Sequence, residues 1–417
     1  MAATVELLLL KRYPGWHIAW TLAWVEFTLY GVLYYTFGVF LSPLEGETGW
    51  TRAQTSLGFS LALLVSAVCA PTVGRWVDKN GARALMIGGV MLSAALTLAW
   101  SRVTSLPAFY AVWTAMGLAW ATVFYPVAFT VIAVWFRVER PKAMLVVTLV
   151  AGLASTAFIP LATFLLERLG WRSSVALLSG VVALCAVPLW LFVRHRPADL
   201  GLHPDGIALE HSSPTLKPDL YLKTVRRQPA FWWLTLAFAL NAASTVALAA
   251  HLVPLLLERG LSPALSALAA GAVGLMSLLG RALFTPSAAQ FSLNRSSLLV
   301  FAVQGLALLS LLTLPLSWSL WPFVLLMGAS NGASTLSKAG LIAQLYGSRN
   351  YGAVSGLMFL WMGLTITAAP LLVGVLHTAL HGYAPVLWGM LACSLLALLA
   401  LAKAEQARAI PVPKISV

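Results

Sequence analysis

Residues 52–101 read RAQTSLGFSLALLVSAVCAPTV (52–73), GRWVDKNGAR (74–83) and ALMIGGVMLSAALTLAWS (84–101). Two apolar runs flank a short charged segment. Each run is about 20 residues long, the length of an α-helix through a bilayer. Lipid offers backbone groups no hydrogen-bond partner, so a span must satisfy its own, as a helix or within a closed barrel. The runs are continuous rather than short and alternating, which selects helices over barrel strands.

The pattern repeats along the chain. Candidate spans fall at 16–41, 52–73, 84–101, 107–135, 142–166, 173–193, 230–257, 263–287, 297–315, 321–345, 352–378 and 384–402. Hydrophobic residues make up 60% of the 417 and charged residues only 9%, against roughly 25% charged in a soluble domain. The segment from Trp16 is too long for a cleaved signal core and reads as a retained first helix behind Lys11 and Arg12.

The net charge of +13 is not a nucleic-acid signal, because the basic residues lie between apolar segments. Of the 26 Lys and Arg, Arg52, Arg102, Arg168, Arg172 and Arg259 fall in loops on one side. Arg281 and Lys338 fall inside spans, and the remaining nineteen lie on the other side. This bias makes the nineteen-charge side cytoplasmic, with both termini there and an even number of spans. Cys69, Cys185 and Cys393 lie in apolar spans and indicate no disulfide framework.

Residues 194–228 are the one long polar stretch, carrying Pro197, Pro204, Pro214 and Pro218. They read as a cytoplasmic linker between a six-helix half at 1–193 and another at 229–402, with a cytoplasmic tail at 403–417. Landmarks recur across it. Gly74-Arg75 returns as Gly280-Arg281, Arg140 as Arg349 and Pro160 as Pro370, at offsets of 206, 209 and 210 residues. Duplicated halves with a site at their interface are a common build of secondary transporters.

The segment Gly74-x-x-x-Asp78-Lys79-x-Gly81-x-Arg83, between spans 2 and 3, resembles the loop signature of the major facilitator superfamily. Further strings resemble its bacterial monocarboxylate and oxalate/formate porter branch. They are Phe37-Gly38-Val39-Phe40, Gly49-Trp50-Thr51-Arg52, Trp135-Phe136, Gly170-Trp171-Arg172 and Pro197-x-x-x-Gly201-x-x-Pro204-Asp205-Gly206. The resemblance implies an all-α membrane protein of twelve transmembrane helices in two six-helix halves with internal inverted repeats. It also implies alternating access and a substrate-binding arginine in span 8. Three departures stand out. The acidic signature of the eukaryotic-type carriers at the start of span 1 is missing. Ala289 occupies the place of an expected aspartate, and Ser277 lies where the eukaryotic-type carriers have an acid four residues before that arginine.

Three formal charges are expected within the hydrocarbon: Glu26, Arg281 and Lys338. Each costs about 2.5–3.5 kcal/mol near a helix centre on insertion scales, so a bundle-interior site is the default reading. Arg281 shares a helical stripe with Gly274, Ser277 and Thr285, and its forked guanidinium suits a carboxylate. The alternative places it at a cytoplasmic helix end as part of the loop signature. Lys338 lies on a stripe with Asn331, Ser334 and Thr335, either attracting an anion or snorkelling to the cytoplasm. Glu26 is followed by Tyr30 and Tyr34 at one-turn intervals. Burial disfavours a charged carboxylate and a nearby cation restores it, so such a group can carry a proton. A structural pair with Lys338 or Arg281, or a permanently neutral acid, is the other reading.

Tyr125 matches the position of a binding tyrosine in the branch. Asn241 and Trp361 complete the expected substrate-binding set with Arg281, Lys338, Tyr30, Tyr34 and Asn331. Gly74, Asp78, Gly81 and Arg83 are expected to relay conformation without touching substrate, with Asp78, Arg83 and nearby cytoplasmic residues forming a charge relay between helices. No catalytic set, metal spacing or phosphate loop is present, so no enzyme activity, metal or cofactor is expected, and no nucleic-acid partner. The expected protein is a monomeric inner-membrane transporter of a small organic anion, possessing lipid and small-molecule partners only. Efflux of a hydrophobic drug-like compound is the runner-up. A non-transporting sensor is a third reading, though the chain ends about fifteen residues after its last span.

Overall fold

The computed structural model describes residues 13–206 and 222–408, which are helical with no strand among them. Lys11, Arg12, residues 207–221 of the linker and 409–417 of the tail lie outside the described residues.

Helix α1 runs Pro14–Thr48 and contains a π-helical turn at Tyr30–Tyr35. It stops at Gly49, whose φ of 72° is a left-handed cap. Helix α2, Arg52–Asn80, starts from a capping box in which Thr51 and Gln54 bond each other's backbone N–H. Helix α3 is Arg83–Trp100. Helix α4 is Leu106–Trp135, interrupted at Phe124, just before Pro126 removes a backbone donor.

Arg140–Phe192 forms one 53-residue apolar stretch. Gly170, at φ 73° and ψ 166°, breaks it into α5 (140–169) and α6 (171–192). The remaining long helices are α7 Pro229–Glu258, α8 Pro263–Phe291, α9 Leu293–Thr313, α10 Leu316–Tyr346, α11 Tyr351–Leu380 and α12 Tyr383–Arg408. Ten stretches among the described residues are long and apolar enough to cross a bilayer. Helix α10 is 31 residues long but less apolar, because Ser330, Asn331, Ser334, Thr335, Ser337 and Lys338 lie along it. Each of the twelve expected spans falls on helix.

Contacts divide the chain into two compact units, Met1–Asp219 with Tyr346–Leu360, and Leu220–Leu345 with Trp361–Val417. The first unit is cored by aromatics. Phe40, Phe109, Trp113, Trp120, Trp135 and Phe136 are fully buried, with Trp113 edge-on to Phe37 at 4.6 Å and to Trp100 at 5.2 Å. The second unit has an aliphatic core around Leu248, Leu255, Leu308, Phe323 and Leu387. One contact repeats in both units. A Cβ on Gly117 of α4 would lie 2.5 Å from the Ala62 carbonyl oxygen of α2, and one on Gly328 of α10 would lie 2.5 Å from that of Val273 on α8. The two pairs are each 211 residues apart, close to the offsets read from sequence.

Polar contacts tie the loop ends of the first unit. Arg172 donates to Glu47 at 2.9 Å and to the carbonyls of Ser101 and Val103 at 2.8 and 2.9 Å, while the Trp171 indole donates to Glu47 at 2.5 Å. This clamps the ends of α1, α3 and α6. At the opposite ends Asp205 accepts from the backbone N–H groups of Arg137, Val138 and Glu139. Tyr13 donates to the Trp135 carbonyl at 2.7 Å, and the Trp135 indole to that of Arg194 at 3.1 Å. Three strings that marked the family resemblance, those holding Trp171-Arg172, Trp135 and Asp205, are thus structural clamps.

Candidate functional site

In the first unit, Glu26 is completely buried on α1, and neither carboxylate oxygen accepts a hydrogen bond among the described residues. One turn later the helix widens into the π-turn, a feature common at functional sites. There the Tyr30 ring lies 4.4 Å from Phe124, 4.8 Å from Tyr125 and 6.0 Å from Tyr34. Tyr34 continues the cluster to Phe59 at 5.1 Å and Trp120 at 6.2 Å. The break of α4 at Phe124 is what brings Phe124 and Tyr125 to Tyr30. The structure therefore gathers Glu26, Tyr30, Tyr34 and Tyr125 in one place. An uncompensated carboxyl beside tyrosine rings can hold a proton or meet a cation.

The loop signature does different work. Asp78 accepts from the backbone N–H of Gly352 at 2.9 Å and of Ala353 at 2.7 Å. These are first-turn donors of α11, which have no partner within their own helix. Gly74 lets the backbones meet, since a Cβ there would lie 1.9 Å from the Gly352 carbonyl oxygen. This contact explains why Tyr346–Leu360 packs with the first unit. Arg83 does not meet Asp78. It donates to the Trp190 carbonyl at 2.5 Å and stacks over that ring. Gly81 lies against His195, whose ring carbon would sit 2.7 Å from a Cβ there.

In the second unit α8 and α10 touch backbone to backbone. A Cβ on Gly280 would lie 1.9 Å from the Ala329 carbonyl oxygen, and one on Gly332 would lie 1.8 Å from that of Ser277. Arg281 and Asn331 are the chain neighbours of these contacts and stand partly buried beside the seam, with Lys338 partly buried further along α10. Asn241 is buried and engaged. Its amide donates to Gln304, and its oxygen accepts from Ser334 at 2.8 Å. Trp361 is exposed and edge-on to Trp232 at 5.8 Å.

Sequence reasoning missed one group in this unit. His251 bridges the Tyr383 hydroxyl at 2.9 Å and the Pro370 carbonyl at 3.0 Å. Glu258 pairs with His377 at 2.9 Å and accepts from the Tyr383 N–H at 3.1 Å. In the sequence His251 stands three residues before Pro254, a position that reads as a polar helix-end or gating residue, and nothing there announces its partners.

Comparison with known proteins places the chain among transporters. The model of the Major Facilitator Superfamily matches residues 23–370. The oxalate:formate antiporter of Oxalobacter formigenes is 28% identical over 221 residues, 53% of this chain and 50% of that protein. Monocarboxylate transporter 7 of Homo sapiens is 28% identical over 162 residues, 39% of this chain and 31% of that protein. The chain thus spans half or less of the length of these curated relatives. A crystal structure of a bacterial homologue of the iron transporter ferroportin, in an outward-facing state, superposes with a TM-score of 0.70. It is 17% identical and covers 93% of this chain and 99% of its own, a likeness of fold.

Proposed function

The chain belongs to the major facilitator superfamily, and we propose that within it the protein moves a small organic anion, a mono- or dicarboxylate, by alternating access. The protein is a multi-pass membrane transporter resembling the monocarboxylate and oxalate/formate branch. The observation that carries the anion reading is the charge inside the spans. Arg281 and Lys338 on α8 and α10 outnumber Glu26 on α1. A guanidinium offers a carboxylate two parallel donors, and the oxalate:formate antiporter and the monocarboxylate transporters among its relatives support that cargo class. Tyr30, Tyr34 and Tyr125 in the first unit, and Asn331 and Trp361 in the second, are proposed as substrate contacts, and Asn241 would act through its network with Gln304 and Ser334. The nineteen-to-five distribution of basic residues supports an inner-membrane protein with cytoplasmic termini, and we propose that it acts as a monomer.

The aromatic cluster around Tyr30 favours a second reading, efflux of a hydrophobic compound. Counterflow in proteoliposomes separates the two. Vesicles preloaded with unlabelled carboxylate should take up the labelled form saturably for at least one member of a mono- and dicarboxylate panel that includes oxalate and formate. Exchange of none of them, with expulsion of a hydrophobic dye, would install the second reading.

Glu26 is proposed to carry the coupled proton, because it is buried without a hydrogen-bond partner among the described residues. Glu26→Gln preserves shape but cannot titrate. A pH gradient should then no longer drive accumulation, while exchange between preloaded vesicles persists. Full accumulation in the variant would return Glu26 to a structural role.

A further inference from the structure

One cavity in the first unit has no part in the function described above. It holds about 410 Å³ and is lined by Asp78, Thr130, His195, Arg196, Ser348 and Arg349 among others. Small-molecule pockets run from about 300 to 1,000 Å³. The cavity lining holds two arginines and one aspartate. Neither Arg196 nor Arg349 is in an ion pair among the described residues. The carboxylate is already committed, as both Asp78 oxygens accept backbone N–H groups of α11. His195 is held below the usual imidazole range by burial and by Arg196, so the lining is positive at neutral pH through its arginines.

The walls are fixed. The segment bearing His195 and Arg196 is anchored by the Trp135 indole on the Arg194 carbonyl, by Asp205 on the 137–139 N–H groups and by Tyr13 on the His203 carbonyl. Arg349 stands two residues before Tyr351, which is buried, at the turn that Asp78 caps. The arginines therefore stand on pinned backbone on two different segments. Guanidinium forks match the oxygens of phosphate and sulfate in pairs.

We propose that this cavity binds a phosphate- or sulfate-type oxyanion between Arg196 and Arg349, tying the start of the linker to the Asp78-capped start of α11. The occupant is either a free anion or the phosphate of a lipid headgroup. The site is separate from Arg281 and does not rest on the carboxylate reading.

The test is thermal unfolding of the purified full-length protein in phosphatidylcholine nanodiscs, titrated with sulfate against chloride at matched ionic strength. Sulfate also stabilises proteins by exclusion from their surface, which does not saturate, so the saturable part is what counts. It should be present in the natural protein and in Arg281→Ala. Its apparent affinity should fall about ten-fold, near 1.4 kcal/mol, in Arg196→Gln and in Arg349→Gln. Arg196→Lys should fall between. A saturable response undiminished in phosphatidylglycerol nanodiscs assigns the free anion, and one that phosphatidylglycerol abolishes assigns the headgroup. No saturable response, or the same response in both Gln variants, overturns the site. So does a response lost in Arg281→Ala alone, which would place the sulfate at the substrate position.

Discussion

Arg281→Ala is expected to weaken equilibrium carboxylate binding by about a hundred-fold or more, and Arg281→Lys by about ten-fold. A charge-assisted hydrogen bond contributes about 1.5–3 kcal/mol, and a bidentate guanidinium–carboxylate pair has two of them. At about 1.4 kcal/mol per decade, losing both gives the larger figure. Lys keeps the charge but has no planar fork, so it keeps only part. Both variants should fold, because the α8–α10 seam is closed by the backbone approaches at Gly280 and Gly332, which neither change alters. The competing account puts Arg281 at a helix end with a purely conformational task. It requires both variants to bind carboxylate normally and to fail only in turnover. Binding to purified protein, measured apart from transport, distinguishes the two. Unchanged affinity in Arg281→Ala would remove the substrate role and most of the case for an anionic cargo.

How much of this was legible beforehand depended on which force set each feature. The spans were legible because hydrocarbon acts on composition, residue by residue. Gly170 lies between the expected fifth and sixth spans and, at φ 73°, breaks the helix there. The duplication was legible through offsets, and the close approaches at Gly117 and Gly328 are its physical counterpart. The grouping of Tyr30 with Phe124 and Tyr125 was not legible. It needs a π-turn in α1 and a break in α4, and both are local departures from helical periodicity that a stripe argument assumes away. The partner of Asp78 was hidden for another reason. A charged loop residue suggests a charged partner, so Arg83 was the expected one. The bonds go instead to main-chain N–H groups at Gly352 and Ala353, 274 and 275 residues away, which no side chain announces. Asn241 was chosen as a polar residue inside a span. Its place in a closed network with Gln304 and Ser334 gives it a packing task that residue type alone does not reveal.

Gly74→Ala should be among the most damaging single-methyl changes in this chain. The new Cβ would stand 1.9 Å from the Gly352 carbonyl oxygen and 2.4 Å from its carbon, against main chain, which cannot rotate aside as a side chain would. The C-terminal part of α2 and the first turn of α11 must then part. Asp78 loses its bonds of 2.9 and 2.7 Å to the Gly352 and Ala353 N–H groups, each charge-assisted and worth about 1.5–3 kcal/mol. The favourable placement of a carboxylate at a helix N-terminus goes with them. Asp78→Asn is the milder version, because its amide oxygen can still accept one bond while its NH₂ confronts the other donor. Hydrogen exchange reads the contact directly. The amides of Gly352 and Ala353 should exchange at least about ten-fold faster in Gly74→Ala, at 1.4 kcal/mol per decade, with Asp78→Asn between that and the natural protein. Transport should fall in the same order, while carboxylate affinity at Arg281 stays within a few-fold, since neither residue belongs to the proposed substrate-binding set and both act at the α2–α11 contact. Natural protection at 352–353 in Gly74→Ala would mean that the backbones accommodate the methyl group without parting. Asp78 would then lose its claim to hold the start of α11 in place.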